Sequence, residues 1–224
     1  AEVEVVSEQE QEQEQEQVYC PSAYGTSGSS DYIIYDVPDS NRTYSSDGSH
    51  WGAVCADGML AASPTAWCAR QPESTVDSYE DENVILDLGR VYLVSGVAIN
   101  GRGGQYLQRI DVFTSEINSD PIESAERVLN NEPTNLTSNS GVQEITFPNP
   151  VKARYIKIKP TDSTSWNAHL SGNFGVLLTT KTTSNPDGCD TSQVAPPPPN
   201  FSIPCEGGGG GEVVAATLGP EFNT

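Results

Sequence analysis

Ala153-Arg154-Tyr155-Ile156-Lys157-Ile158-Lys159-Pro160 is the stretch that decides the fold. In an extended chain Tyr155, Lys157 and Lys159 share one side, and Arg154, Ile156 and Ile158 share the other. That period-two alternation predicts a half-buried β-strand ended by proline. Arg154, on the inward side, is expected to be paired or to snorkel rather than to act on a ligand. Upstream, Val84-Ile85-Leu86-Asp87-Leu88-Gly89 reads as a short apolar strand closed by glycine. Val94-Ser95-Gly96-Val97-Ala98-Ile99-Asn100-Gly101-Arg102 reads as the strand after it.

Composition narrows the function. The 224 residues suffice for one domain of ordinary size plus extensions. Net charge is −20, from 31 acidic and 11 basic residues, which argues against binding nucleic acid or an anionic membrane by charge. Apolar residues make up 35%, and no apolar run approaches a membrane span, so no membrane insertion is expected. Five cysteines, few lysines and three sequons point to an oxidising compartment. The sequons begin at Asn41, Asn135 and Asn200 in segments that read as loops, which favours a secreted or cell-surface glycoprotein. The first residue, Ala1, is explained by a removed secretory signal, although a trimmed chain would explain it too.

The ends differ from the middle. Residues 1–19 hold Glu2-Val3-Glu4-Val5 and then a strict Glu-Gln alternation from Glu8 to Gln17. As a strand, this run lines all its glutamates on one face; as a helix, they would repel at i,i+4. Residues 190–224 carry Pro196–Pro199, which favours a stiff polyproline II spacer, and five glycines at 207–211. Glu212-Val213-Val214-Ala215-Ala216-Thr217-Leu218 then reads as a short strand. Both arms are expected to be extended, with Val3, Val5, Val213, Val214 and Leu218 as the apolar positions that could add to a neighbouring sheet edge.

The ordered set of strands, with Ala66-Trp67-Cys68-Ala69 before it and Tyr106 to Ser115 after Arg102, resembles the discoidin family, the type C domains of coagulation factors V and VIII. The resemblance covers roughly Cys20 to Cys189. It implies an all-β fold, a discoidin-like jelly-roll β-sandwich over residues 20–189, between the two arms. It also implies that the two ends of the domain are tied by a disulfide, Cys20 to Cys189. Cys55 and Cys68 flank one loop and would close it, leaving Cys205 free or available between subunits. Cys189 to Cys205, with Cys20 odd, is the rival pairing. With no C-x-x-C and only His50 and His169 for histidines, cysteine–histidine metal binding is not expected.

Further expectations follow from the resemblance. Asp57-Gly58 with Thr65-Ala66-Trp67 is similar to a loop that a calcium ion braces in sugar-binding relatives. No cofactor is required, and a structural calcium ion held by Asp57 and Thr65 is the one option. The late acidic ligand of that site falls near Asn173, which is uncharged. The alternative is an Asp-Gly turn with Trp67 in the core. His50 and Trp51 sit where relatives present side chains to ligands, and Trp166 and His169 follow Pro160. These four, with Arg102, form the candidate sugar site, by aromatic stacking and hydroxyl hydrogen bonds. Against it, tryptophan is usually buried, and the run Gly101-Arg102-Gly103-Gly104 also suits a tight turn.

No G-x-S-x-G, H-E-x-x-H or phosphate-binding loop is present, so no enzyme is expected. Two functions remain. The first is a structural subunit of a secreted filament, in which arms exchanged between copies make the chain its own partner. The strand-like arms and the odd cysteine motivate it. The alternative is a lectin-like adhesion module with glycans as partners.

Overall fold

The computed structural model describes residues 17–24, 29–46, 58–62, 65–68, 82–102, 105–121, 126–137, 141–163 and 171–192. Eight strands occur among them: β1 (Tyr32–Tyr35), β2 (Arg42–Tyr44), β3 (Trp67–Cys68), β4 (Val84–Asn100), β5 (Leu107–Ser115), β6 (Arg127–Pro133), β7 (Gln143–Ser163) and β8 (Ser171–Thr179). The helical turns among the described residues are short 3-10 turns at Asp39–Asn41 and Leu60–Ala62.

All pairings between these strands are antiparallel, in the order β1-β8-β4-β7-β5-β6, with β2 on β4 and β3 on β8. Two long strands let this one sheet fold over. The first half of β4 pairs with β2 and with the second half of β7, which continues to β5 and β6. The second half of β4 pairs with β8 and with the first half of β7, and β8 continues to β1. Leu86, Val112, Ile156 and Ile158 from one half share a single core with Val97, Ile99, Phe174 and Val176 from the other. The fold is therefore a sandwich made by bending a continuous sheet.

The bend in β4 changes the reading of two segments. Val84–Gly89 and Val94–Arg102 are not separate strands; Val84–Asn100 runs as one. Gly89, at φ +79°, turns the chain without ending the strand, a conformation open to glycine at no steric cost. The register with β7 shifts there, between Asp87 and Tyr92, and again between Val94 and Gly96. At Gly96 a Cβ would collide with the Ile145 carbonyl, so the strands close on each other only with glycine present. Pro160 does not end its strand either: it pairs with Ile110 beside an irregularity in the ladder, where a missing N–H is tolerated.

Within the deciding stretch, Ile156 and Ile158 are fully buried and Arg154 is paired. Its guanidinium makes two bonds to the Asp87 carboxylate, at 2.8 and 3.0 Å, and lies 4.8 Å from the Tyr155 ring centre. Burial opposes the Asp87 charge, but the Arg154 and Gly89 hydrogen bonds overcome it and hold the carboxyl below its ordinary range. Lys157 departs from the alternation. It is only 8% exposed, because Asp120, after β5, reaches its ammonium at 2.9 Å.

Cys20 and Cys189 form a disulfide, so the rival Cys189–Cys205 pairing is corrected. Beside it, Tyr19 pairs with Asp190 and Thr180 with Cys189, which brings both ends of the domain together. Cys68 is also disulfide-bonded, to a partner outside the described residues. Cys55 and Cys205 lie outside them too, as do the arm positions Val3, Val5, Val213, Val214 and Leu218.

Candidate functional site

One end of the sandwich gathers the segments that carry the candidate residues. β4 finishes there, with Asn100 paired to Asn173 near the start of β8. Cys68 of β3 pairs with Ser171, and Trp67 with Gly172. Arg102 and Gln105 exchange backbone hydrogen bonds at 2.8 Å across the turn into β5, and Leu107 then pairs with Ser163 at the end of β7. The disulfide lies at the far end of β8, nine residues or about 30 Å away.

The floor of this loop end is aromatic. Trp67 stacks on Tyr44 at 6.2 Å and leans on Phe174 at 5.9 Å. Its indole N–H donates to the Ser46 carbonyl at 2.9 Å. The Tyr44 hydroxyl accepts from the Gly58 N–H at 2.8 Å and donates to Asp39 at 2.9 Å. Burial is the main force pushing the Tyr44 phenol up to about 12, so it stays a neutral donor. Ser46 and Gly58, the residues flanking segment 47–57, are therefore both fastened to the same aromatic floor.

A charged group lies below them. Arg42 is buried, its side chain 0% exposed, and donates to the carbonyls of Val37, Gly58 and Phe174 and to the Asp36 carboxylate, all at 2.8–2.9 Å. Asp36 also accepts the N–H groups of Leu60 and Ala61 at 2.9 and 2.8 Å, which seats the 3-10 turn. No sequence pattern marks Arg42, which stands inside the sequon Asn41-Arg42-Thr43.

Two oxygens beside this floor are orphaned. Asn173 donates Nδ2 to the Thr65 carbonyl at 3.0 Å, while its Oδ1 and the Ser171 hydroxyl are buried and find no hydrogen-bond partner among the described residues. Such a group costs about 1–3 kcal/mol and calls for an explanation. Residues 171 and 173 of one strand face the same side. Oxygen-only donors are what a hard cation such as calcium takes, so the donor type fits. Asn173 and Ser171 would hold the ion. The Thr65 hydroxyl is spent on the Ala62 carbonyl at 2.6 Å. The Gly58 carbonyl is spent on Arg42 and on the Phe174 N–H. Among the described residues no group of three or more His, Cys, Asp or Glu side chains could hold a metal. Neutral ligands of this kind imply weak binding, on the order of 10⁻⁴–10⁻³ M.

Of the residues named from sequence, the structure places Arg102 and Thr65 at this end. Arg102 closes the tight turn with Gln105, and its guanidinium lies 3.5 Å from the Cys68 sulfur. His50, Trp51, Asp57, Trp166 and His169 lie outside the described residues. Their flanking residues, Ser46 and Gly58 for one segment and Ser163 and Ser171 for the other, all belong to the loop end. Among the sequons, Asn135 is exposed in a left-handed turn at φ +56°. Asn41 is half-buried, with Nδ2 turned to the Asp87 carbonyl at 3.4 Å. Asn200 lies outside the described residues.

The family model of the F5/8 type C domain matches residues 41–173. No curated protein matches the chain. Among solved structures, discoidin II from Dictyostelium discoideum is similar at 22% identity and a TM-score of 0.39. That match covers 50% of this chain and 40% of discoidin II. A family 32 CBM from C. perfringens NanJ, in complex with galactose, is 22% identical with a TM-score of 0.44, covering 65% of this chain and 99% of the module. A second Clostridium perfringens module, in complex with GalNAc-beta-1,3-galactose, is 17% identical with a TM-score of 0.45, over 63% of this chain and 98% of its own.

Proposed function

We propose a function from one established premise: the chain belongs to the F5/8 type C domain family. Our reading is a secreted module that binds glycans at its loop end and turns nothing over. The observation that carries it is convergence. Arg102 and the four residues flanking the segments of His50, Trp51, Trp166 and His169 all meet at one end. An indole offers a face for a sugar's C–H groups, and guanidinium and imidazole offer donors to its hydroxyls. The disulfides at Cys20–Cys189 and at Cys68 support an oxidising compartment. Calcium at Asn173 and Ser171 would brace the loops rather than contact the sugar.

A glycan array probed with the full chain tests this. Selective binding is expected, falling about tenfold or more in Trp51→Ala, as for a central aromatic anchor. Calcium at millimolar level should raise the melting temperature of the wild type and not of Asn173→Ala. An array without selective binding sinks the reading. Unchanged binding in Trp51→Ala removes that residue from the site.

A second reading, a subunit of an extracellular polymer joined by its arms, is favoured by one observation. Val18 and Tyr19 pair with Asp190, so both arms leave together from the disulfide end. Arms rooted there can join copies without covering the loop end. Electron micrographs of the purified chain should show filaments; dispersed particles at every concentration would count against it.

A further inference from the structure

The disulfide end carries a cleft of about 520 Å³, lined by Arg90, Lys152 and Lys181 together with Gln17, Val18 and Tyr92. Three of the chain's 11 basic residues thus meet in one cleft of a molecule with net charge −20. Lys152 holds Asp187 at 3.2 Å, but both groups are more than half exposed. A contact of that kind is worth about 0–1 kcal/mol and exchanges easily for another carboxylate.

We propose that this cleft is a second binding site, for a row of carboxylates on an extended peptide, and that its occupant is the chain's own Glu8–Glu16 repeat. The arm begins at the site: Gln17 lines the cleft, and its side-chain amide is bonded to Asp190. The five glutamates at 8, 10, 12, 14 and 16 belong to a strongly acidic chain, and the cleft sets three cations against the single carboxylate of Asp187 in its lining. In an extended run they share one face, about 7 Å apart, a spacing that offers successive carboxylates to separate cations. Val18 and Tyr92 supply apolar surface for the methylenes of glutamate and glutamine.

Tethering decides which copy's arm is held. A short link gives an effective concentration of roughly 1 mM, so a neighbour's arm competes poorly in dilute solution. The same contact remade between copies at high concentration would be an arm exchange, the usual form of domain swapping. The cleft lies at the opposite end from the glycan site, and the inference does not depend on glycan binding.

Carbodiimide coupling of the full chain at micromolar concentration, in an equal mixture of ¹⁵N-labelled and unlabelled protein, tests it. The reagent joins a carboxylate to a lysine amine only where the two are in contact. The expected products link Lys152 or Lys181 to glutamates 8–16 within one chain. They disappear in 1 M salt, where screening acts within about 3 Å, and in the variant with Glu8, Glu10, Glu12, Glu14 and Glu16 all changed to Gln. The Lys157–Asp120 pair, at 2.9 Å, reports that the body is folded in every sample. If that pair couples while Lys152 and Lys181 reach only Asp187 and other body carboxylates, the site is refuted. Products that join labelled to unlabelled chains at this dilution overturn the assignment to the chain's own arm.

Discussion

Replacing Cys20 and Cys189 together by alanine lowers the unfolding free energy by about 5 kcal/mol at 25 °C. The bridge spans a sequence separation of 169 residues, nearly the whole described body. In the chain-entropy account, such a loop restricts the unfolded state by ~5 kcal/mol, and whole domains are stable by only about 5–15 kcal/mol. The bridge also acts locally. It lies beside the bonds from Cys20 N–H to the Asp190 carbonyl at 2.9 Å and from Asp190 N–H to the Val18 carbonyl at 2.8 Å, which tie the first residues of the body to the last. Urea unfolding followed by tryptophan fluorescence should show a much lower midpoint in the variant. Wild type measured in reductant should fall at least as far, because the bridge at Cys68 opens too. A loss below about 1 kcal/mol would show that the unfolded chain is already held compact by other means.

What could be read from the sequence, and what could not, divides along physical lines. Alternation in Arg154–Lys159 located a strand because burial there is one-sided. It could not show that Lys157 is covered, since Asp120 arrives from a separate segment. Gly89 and Pro160 read as strand ends because each breaks a regular ladder. Both lie inside strands, since a bend with a shifted register uses those same exceptions. The loop end was legible only as a set of segments. Its geometry comes from contacts between residues far apart in the chain, such as Trp67 with Ser46 and Asn173 with Thr65. Asn173 looked unfit for a cation because it has no charge. The orphaned oxygens beside it are a property of packing, and no pattern of residue types announces them. Arg90, Lys152 and Lys181 come from three separate segments, so their cleft was equally hidden.

Arg42 is the clearest case of a residue invisible in sequence and central in structure, and Arg42→Met should cost about 3–5 kcal/mol. The substitution keeps most of the buried volume and removes the charge and every donor. Asp36, 9% exposed at its side chain, is then left with two backbone N–H groups and no counter-charge. The carbonyls of Val37 and Phe174 lose the Arg42 donor, while Gly58 keeps the Phe174 N–H. Burial pushes the Arg42 pKa down, yet a guanidinium stays protonated, so the wild-type Arg42 remains charged at any working pH. A double-mutant cycle separates the pair from the packing: Asp36→Asn should cost much less in the Arg42→Met background than in wild type. Hydrogen exchange supplies the functional consequence. The amides of Leu60 and Ala61 are held by Asp36, and that of Gly58 by Tyr44, two residues from Arg42 in the chain. In Arg42→Met these three should exchange faster than those of β5 and β7, because the floor beneath the loop end loosens before the sandwich unfolds. Equal acceleration everywhere would mean that Arg42 acts only through global stability and does not shape the site.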